Sequence, residues 1–216
     1  MASQKLAWKT ESFLTQKCSH WPKLGKHILA QYDENTIVVY QAFCKEIADY
    51  AVKNQRFGGS HFSFDRMSWI KTNFLWMMYR CGWAEKRNQE RVLAVWISRD
   101  GFNTILKNAY TPLTQKAAGL HGKDSIEVRL QWDPDHKPNG NPENRRAIQL
   151  GLKKEMLRKY ATEWVVQIED ITPFVKSEKV KVDSDTLDDL MVAEERVYHV
   201  EDQATAKLIE VDHFER

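Results

Sequence analysis

The sequence predicts an α+β domain built on a mostly antiparallel or split β-sheet with short interspersed helices. Two observations support this prediction. Runs of strand length, rich in β-branched and aromatic residues, outnumber long helical patterns. The helical patterns lie between these strands, which is typical of an α+β fold. A chain of 216 residues with 42% hydrophobic and 29% charged residues fits one globular domain.

The clearest elements are predicted in the first half of the chain. Thr36–Phe43, TIVVYQAF, is a β-branched and aromatic run that predicts a buried strand. In Lys45–Asn54 the apolar residues fall on one helical face, so a helix is predicted. That helix is expected to stop at residues 56–59, because the two glycines there adopt backbone angles that a helix cannot continue through. Arg91–Ser98, RVLAVWIS, predicts a second buried strand.

Shorter patterns predict the remaining elements. The segment MSWIK predicts a short strand, and FLWMMYR predicts a buried helical turn that ends at Gly82. Residues 126–132 alternate apolar and polar side chains, which indicates a half-buried strand. Residues 133–144, DPDHKPNGNPEN, are rich in turn-forming residues and predict a loop. The other predicted elements are a helix at 101–109, a strand at 146–151, a helix at 152–160 and a strand at 164–171.

Charge divides the chain into unequal parts. Residues 183–216 contain eleven acidic and three basic side chains, so this tail carries −8 and the preceding residues carry +10. A basic body favours a phosphate-bearing partner, either a nucleotide or a nucleic acid. Strand-like patterns at 197–200 and 208–211 indicate that the tail is partly ordered. The predicted parts are an N-terminal segment at 1–27, a single α+β catalytic-like domain at 28–176 and an acidic C-terminal extension at 177–216.

Composition also bears on compartment and metal content. The sequence contains no run of about 18 apolar residues and no signal-peptide pattern at its start, so we expect a cytoplasmic protein without a membrane partner. Cys18, Cys44 and Cys81 lack CxxC spacing, which argues against a disulfide framework or a zinc site. His20 and His27 lie near Cys18, but no convincing further ligand completes a set, and no metal is predicted.

Several familiar site motifs are missing. The sequence has no GxGxxG after a strand and no GxxxxGK[ST], which disfavours a Rossmann site and a P-loop. Neither HExxH nor GxSxG occurs. What remains is a strand that carries Tyr40 and Gln41, a cationic aromatic block, and late strands that carry Gln131 and Gln149.

The cationic aromatic block is residues 66–83, RMSWIKTNFLWMMYRCGW. It places Arg66, Lys71 and Arg80 among three tryptophans and three methionines. Cations beside flat rings favour a site that holds a base or nicotinamide ring together with its phosphates. The structural alternative is that the rings form a core, as such clusters often do. Lys and Arg are almost never buried without a partner, so the cationic heads must reach solvent, a carboxylate or an anionic ligand.

Six longer segments carry a family resemblance. They are VYQAFCKEIADYAV, RMSWIKTNFLWMMYRCGW, QERVLAVWISRDGF, VRLQWDPDH, RRAIQLGL and WVVQIEDITPFV. These segments resemble the uncharacterised family known as domain of unknown function DUF4291, over residues 28–176. The resemblance implies membership of that family and, by itself, no function.

The predicted elements follow a definite order: a strand that carries Tyr40-Gln41, a helix from Lys45, and a turn at Gly58-Gly59. This order resembles, more distantly, the opening of many ADP-ribosyltransferase domains. The resemblance implies an ADP-ribosyltransferase-like enzyme or enzyme relative that binds NAD or a nucleic-acid phosphate end in a basic, aromatic-lined cleft. It also implies that Tyr40 and Gln41 hold the nucleotide ribose, and that Arg66, Lys71 and Arg80 hold its phosphates.

The same resemblance assigns the ring-binding and catalytic residues. Trp69 and Tyr79 are expected to sandwich the nicotinamide. In those enzymes a glutamate on a late strand orients the ribose hydroxyl or stabilises the oxocarbenium ion, whereas the late strand here offers Gln149. An amide supplies only a dipole, so Gln149 indicates an altered reaction or a pseudoenzyme. Glu90 is the first alternative carboxylate, and Glu127 is the second.

Two other functions fit the same residues. The first is a non-catalytic RNA- or DNA-binding module, in which the rings stack bases and the cations follow the backbone. Arg145 and Arg146 would extend that track. Its affinity should fall steeply with salt, whereas NAD binding should depend on salt only weakly. The second is an interaction protein whose acidic residues 183–216 mask the basic face, so that deleting them strengthens anion binding.

Overall fold

A seven-stranded sheet lies at the centre of the protein. The computed structural model describes residues 5–122 and 124–212. In chain order the strands are β1 (Thr10–Ser12), β2 (Leu29–Ala30), β3 (Thr36–Phe43), β4 (Ser68–Lys71), β5 (Arg91–Ser98), β6 (Ala109–Tyr110), β7 (Val128–His136), β8 (Pro142–Leu152), β9 (Val165–Asp170), β10 (Met191–Ala193) and β11 (Arg196–Val197). The helices are α1 (Phe13–Ser19), α2 (Lys45–Asn54), α3 (Phe74–Cys81), α4 (Arg99–Lys107), α5 (Pro112–Ala117), α6 (Lys154–Lys159), α7 (Thr172–Asp183) and α8 (Gln203–Leu208), with a π-helical turn at Tyr160–Trp164 and a 3-10 turn at Leu187–Asp189.

The strand order in the large sheet is β6-β7-β8-β4-β3-β5-β9. Strands β6 and β7 pair in parallel, and the other neighbours in the sheet are antiparallel. Strands β3 and β5 pair along their whole length. By contrast, β3 and β4 pair at a single position, where Tyr40 faces Lys71. The two strands in the middle of the sheet are therefore held together by few ladder contacts.

Helices cover both faces of this sheet. Successive strand residues point to opposite sides, so apolar neighbours on one strand pack against helices on different faces. From β3, Val39 packs in a core with residues of α2, α4 and α6. Its neighbours Val38 and Tyr40 pack in a second core with residues of α1, α3 and α7. Strands β3 and β5 are buried on both sides, which explains their continuous apolar sequence. The protein is thus a single-domain α+β fold with a mostly antiparallel sheet, as the sequence predicts.

The strongest sequence patterns are confirmed at their predicted bounds. Strands β3 and β5 and helix α2 span the residues predicted for them. Helix α2 ends before the glycine pair, because Gln55 takes a left-handed φ of 51°. Helix α3 begins after Asn73, whose side chain accepts the Trp76 N–H at 2.7 Å, and it ends at Gly82 with a φ of 59°.

The prediction of a loop at 133–144 is wrong. Strand β7 continues to His136 and β8 begins at Pro142, so the connection is confined to residues 137–141. Asp135 of β7 and Arg145 of β8 form a buried ion pair with a 2.5 Å contact. This pairing across the hairpin keeps turn-forming residues in extended strands. A contact between two strands cannot be predicted from the local preferences of either segment.

The acidic extension packs along the domain. Strand β10 pairs with β1, and β11 pairs with β2, both antiparallel. Helix α8 begins at Asp202, whose side chain accepts the Ala204 N–H at 3.0 Å, and it contacts α4. The strand-like interpretation of residues 208–211 is wrong, because they form the end of α8 and the turn after it. The Trp132 indole donates to the Ile209 carbonyl at 2.8 Å and ties this turn to β7.

The helices are short. Helix α7, with 12 residues, is the longest of those described. Within residues 5–122 and 124–212, no helix has both the length and the apolar character needed to cross a membrane. The cytoplasmic location stays a prediction.

Candidate functional site

A cavity of about 750 Å³ lies at the C-terminal end of β3, beside β4 and α3. Its volume falls within the roughly 300–1,000 Å³ that small-molecule and cofactor sites occupy. The structure brings six of the residues predicted for a site to its wall, namely Gln41, Arg66, Trp69, Lys71, Arg80 and Gln149.

Gln41 joins the strands that form the back of the cavity. Its amide nitrogen donates to Ser68 Oγ at 2.8 Å and to the Trp69 carbonyl at 3.1 Å. Its Oε1 accepts from the Tyr160 hydroxyl at 2.7 Å. These bonds link β3 to β4 beyond the single ladder pair. Because both amide protons are used inside the protein, Gln41 shapes the wall and is not free to donate to a ligand.

Lys71 is a buried lysine on the cavity wall. It is 4% exposed, and its Nζ lies 5.0 Å from the centre of the Trp76 ring. In the part of the chain that the structure describes, this amine has no hydrogen bond and no ion pair. Burial, followed by the positive charge of Arg80, lowers the pKa of Lys71 from 10.5 to about 7, against the opposing effect of Asp133. A large share of Lys71 is therefore an uncharged amine at neutral pH.

Two arginines line the same cavity. Arg66 and Arg80 are both exposed, and neither forms a salt bridge with any described residue. A guanidinium group stays charged and donates in pairs to the oxygens of a carboxylate or phosphate. Both arginines can therefore bind an anion without first breaking an internal ion pair.

A row of polar side chains crosses three strands of the wall. Lys71 of β4 faces Gln149 of β8, which in turn faces Gln131 of β7. Directly opposed residues of antiparallel strands point to the same side. The Gln149 amide nitrogen donates to Gln131 Oε1 at 2.9 Å and to Asp133 Oδ2 at 2.6 Å. With both amide protons used, Gln149 offers only its Oε1, an acceptor, to a ligand.

Trp69 contributes an aromatic surface to the cavity, and Gly151 makes room for it. The two residues face each other across β4 and β8. A Cβ at position 151 would lie 2.5 Å from Met67 Sδ and 3.0 Å from the Trp69 ring. Glycine at this position therefore lets both side chains lie against β8.

Tyr40 lies outside the cavity lining. It is fully buried in the core beside α3, where its hydroxyl accepts from Trp8 Nε1 at 3.1 Å. Burial raises the pKa of this hydroxyl well above its usual value of 10. Its burial among core side chains keeps Tyr40 away from a ligand in the cavity, whereas the next residue, Gln41, lines the wall.

Tyr79 and Glu90 also lie outside the lining. The Tyr79 ring stacks on the His136 ring with centres 3.5 Å apart, and the residue is 45% exposed. Glu90 is exposed and accepts the backbone N–H of Asn88 at 2.8 Å. Asn88 itself lines the cavity, so Glu90 lies near its rim without forming its wall.

The cation track predicted for a nucleic acid is interrupted at Arg145. This residue is 4% exposed and forms the buried ion pair with Asp135. Its guanidinium group lies 4.9 Å from the centre of the Trp21 ring. The nucleic-acid interpretation is therefore wrong for Arg145, because this side chain is buried and its Nε donates to Asp135 inside the protein. Arg146 is exposed.

The acids of the C-terminal extension pair with cations elsewhere. The contacts are Glu201 with Arg99 at 3.8 Å, Asp202 with Lys107 at 4.0 Å and Glu210 with Lys26 at 3.6 Å. Among the described residues, no acid of the extension forms a salt bridge with a cation of the cavity. The described part of the tail therefore does not neutralise the cavity.

A second cavity, of about 530 Å³, lies under the N-terminal segment. Several of its polar groups are already paired. Arg196 lies 2.9 Å from Glu11, and Lys5 lies 3.2 Å from Glu169. The Gln31 amide bonds to backbone groups of the N-terminal segment. This cavity is less suited to an anion than the one that holds Lys71.

The comparison with known families covers most of the fold. A domain of unknown function, DUF4291, matches residues 27–198. The chain belongs to this family. The match includes every residue that lines the cavity with Lys71, and it confirms the resemblance seen in the longer sequence segments. No match was found among curated proteins.

Several cavity residues of this DUF4291 domain were not predicted as site residues. Gln131 lies on the wetter face of an alternating strand pattern, and that pattern is the signal that places it beside Gln149. His61, Asn88 and Gln89 come from irregular segments between elements and line the cavity only because of the fold. No periodic pattern marks such residues in a sequence.

The polar side chains of the DUF4291 domain do not suggest a metal site. Over the described ranges, no group of three or more His, Cys, Asp or Glu side chains is arranged to hold a metal ion. Lys, Arg and Gln side chains dominate the polar wall of the Lys71 cavity. The cationic donors of such a wall favour an anionic ligand.

Proposed function

We propose that the cavity binds a nucleotide through its phosphates, with NAD or a nucleic-acid phosphate end as the ligand. The supporting observation is that Arg66, Lys71 and Arg80 line one cavity without a carboxylate partner in the described chain. Cations that share a hollow create a positive potential that attracts phosphate groups. An apolar ligand would leave these cationic groups desolvated and unsatisfied.

The two exposed arginines are the phosphate ligands in this proposal. Their guanidinium groups are always charged and match phosphate oxygens in pairs. Lys71 is buried and its pKa is lowered to about 7, so at neutral pH it carries only part of a positive charge and contributes less to holding a phosphate. Trp69 offers a face to a base or nicotinamide ring. In this proposal the Gln149 Oε1 accepts from a ribose hydroxyl, because both protons of its amide are used inside the protein.

The proposal includes a relationship to ADP-ribosyltransferases. The succession of β3, α2 and a turn that contains Gly58 and Gly59 supports it. Their reaction needs a charge that stabilises an oxocarbenium ion, and removing one such stabilising group costs about 2.7–4 kcal/mol. Gln149 carries no charge, and the described cavity wall includes no Asp or Glu. We therefore propose a nucleotide-binding relative of these enzymes that releases nicotinamide slowly or not at all.

Calorimetric titration with NAD, ADP-ribose, AMP and a short single-stranded RNA tests the proposal. We expect NAD and ADP-ribose to bind. Arg66→Ala and Arg80→Ala should each weaken affinity by about 10- to 100-fold, because a hydrogen bond to a charged group contributes about 1.5–3 kcal/mol. Arg56→Ala is the matched control, since Arg56 is an exposed arginine outside the lining. Absence of binding by every nucleotide, or an equal loss in the control, would contradict the proposal.

Two further readouts separate the alternatives. RNA binding that weakens steeply with salt, combined with no NAD binding, would favour the nucleic-acid-binding module. Nicotinamide release, followed by chromatography, measures catalysis directly. Tight NAD binding with fast nicotinamide release would contradict the view that a missing carboxylate limits the reaction.

A further inference from the structure

The Lys71 amine is buried beside the Trp76 ring and has no hydrogen-bond acceptor or carboxylate partner among the described residues. It lines the cavity at 4% exposure, and neither a hydrogen bond nor an ion pair reaches its Nζ from residues 5–122 or 124–212. A lysine that serves only the fold extends its amine to solvent or pairs it with a carboxylate. The unpaired amine therefore points to a ligand that meets it inside the cavity.

The groups around Lys71 act in both directions. Burial and the positive charge of Arg80 favour the neutral amine, whereas Asp133 and Cys81 favour the charged form, as does the Trp76 ring 5.0 Å from Nζ. Burial and Arg80 outweigh the opposing groups and lower the pKa of Lys71 to about 7. Desolvation beside a second cation is how proteins convert a lysine into an amine nucleophile.

We propose that Lys71 is a covalent nucleophile that forms an imine with the aldehyde of a phosphate-bearing sugar. This inference rests on the proposed function, because Arg66 and Arg80 must hold the phosphate while the amine meets the carbonyl carbon. ADP-ribose and ribose 5-phosphate belong to this class, since their free anomeric carbon opens to an aldehyde. In NAD the corresponding carbon bears nicotinamide, so NAD offers no free carbonyl at that position.

The step balances without a further reactant. The lone pair of the neutral Lys71 nitrogen attacks the carbonyl carbon, and a C–N bond forms while the carbonyl oxygen becomes a hydroxyl. The two protons of the amine then leave with that oxygen as water, which gives the imine. Water addition reverses the step, so the adduct stays hydrolysable unless it is reduced.

Reductive trapping tests this chemistry. The full chain is incubated with ADP-ribose and cyanoborohydride, which reduces an imine to a stable amine, and tryptic peptides are analysed by mass spectrometry. Trypsin does not cleave after a modified lysine, so an adduct at Lys71 yields one peptide, 67–80, in place of 67–71 and 72–80. NAD serves as the matched ligand without an aldehyde.

We expect the adduct at Lys71 at pH 7 to exceed that at any exposed lysine by at least about tenfold, because an ordinary lysine with a pKa near 10.4 is almost fully protonated there. Its rate of formation should rise through the pH range around 7 and then level off, a profile that a purely structural lysine would not give. In Lys71→Met, trypsin releases the 67–80 peptide because no lysine interrupts it, and this peptide should carry no adduct mass. Lys53→Met, at an exposed lysine, should leave the adduct at Lys71 unchanged.

Two results would overturn the inference. ADP-ribose that binds in calorimetry but leaves Lys71 unmodified would end it while the proposed function stands. Adducts spread evenly over exposed lysines would have the same consequence. If ADP-ribose does not bind at all, and no other nucleotide does, both proposals fail together.

Discussion

Replacing Lys71 by Met removes a charge that folding desolvates. Lys71 is 4% exposed and unpaired in the described chain, and methionine fills a similar volume without a charge. The pKa of Lys71 is lowered from 10.5 to about 7 on folding, so the unfolded chain binds its proton more tightly than the folded chain does. The parent is therefore destabilised below pH 10.5, and Lys71→Met should have the higher free energy of unfolding.

The size of this effect depends on pH. One unit of pKa shift corresponds to about 1.4 kcal/mol, so the desolvated charge costs on the order of 5 kcal/mol at about pH 6, as an upper limit. At about pH 9 the folded chain has released the proton and the cost falls to roughly 2 kcal/mol. The advantage of Lys71→Met should therefore shrink by about 3 kcal/mol between these two conditions.

Urea unfolding of the parent and Lys71→Met at both pH values measures this difference. Comparing the two proteins at the same pH cancels the titration of groups that they share. Lys53→Met, which alters an exposed lysine, is the control and should show no comparable change with pH. If the advantage of Lys71→Met is the same at both pH values, the Lys71 amine keeps its charge on folding and its pKa is not lowered.

Four other substitutions test the framework around the cavity. Arg145→Ala leaves Asp135 buried without its partner and should lower the free energy of unfolding by about 3–5 kcal/mol in urea titrations; a loss near zero would contradict the buried pair. Gly151→Ala should cost about 1–3 kcal/mol by overpacking, also by urea titration, and should weaken nucleotide binding in calorimetry. Gln41→Ala removes the acceptor of a buried tyrosine hydroxyl and should cost about 1–3 kcal/mol in thermal or urea unfolding. Burial raises the pKa of Glu195 well above 4.5, so the parent should lose stability as pH rises from 4.5 toward that raised pKa, and Glu195→Gln should be less sensitive over this range.

The elements that could be predicted are those whose burial produces a regular apolar pattern in the sequence. Strands β3 and β5 are buried on both sides, so their apolar runs give their bounds directly. Helix α2 shows an apolar stripe for the same reason. The β7–β8 hairpin was misread because the contact that extends it, Asp135 with Arg145, joins two strands across the hairpin. Pairings of this kind are decided by tertiary context rather than local preference.

The candidate site was predictable in part. Spacing and residue type identified Arg66, Lys71 and Arg80, and the fold brings all three to one cavity. Tyr40 marks the limit of this prediction, because its burial against residues of α3 comes from tertiary packing. The burial of Lys71 under the Trp76 ring depends on how α3 packs against β4, and no sequence pattern contains that information.

A crystal structure of the protein with ADP-ribose would show whether the cavity holds a nucleotide by its phosphates. We expect phosphate oxygens within about 3 Å of the guanidinium nitrogens of Arg66 and Arg80, and the anomeric carbon next to Lys71 Nζ. Density for the ligand elsewhere on the protein, with both arginines turned to solvent, would contradict the claim.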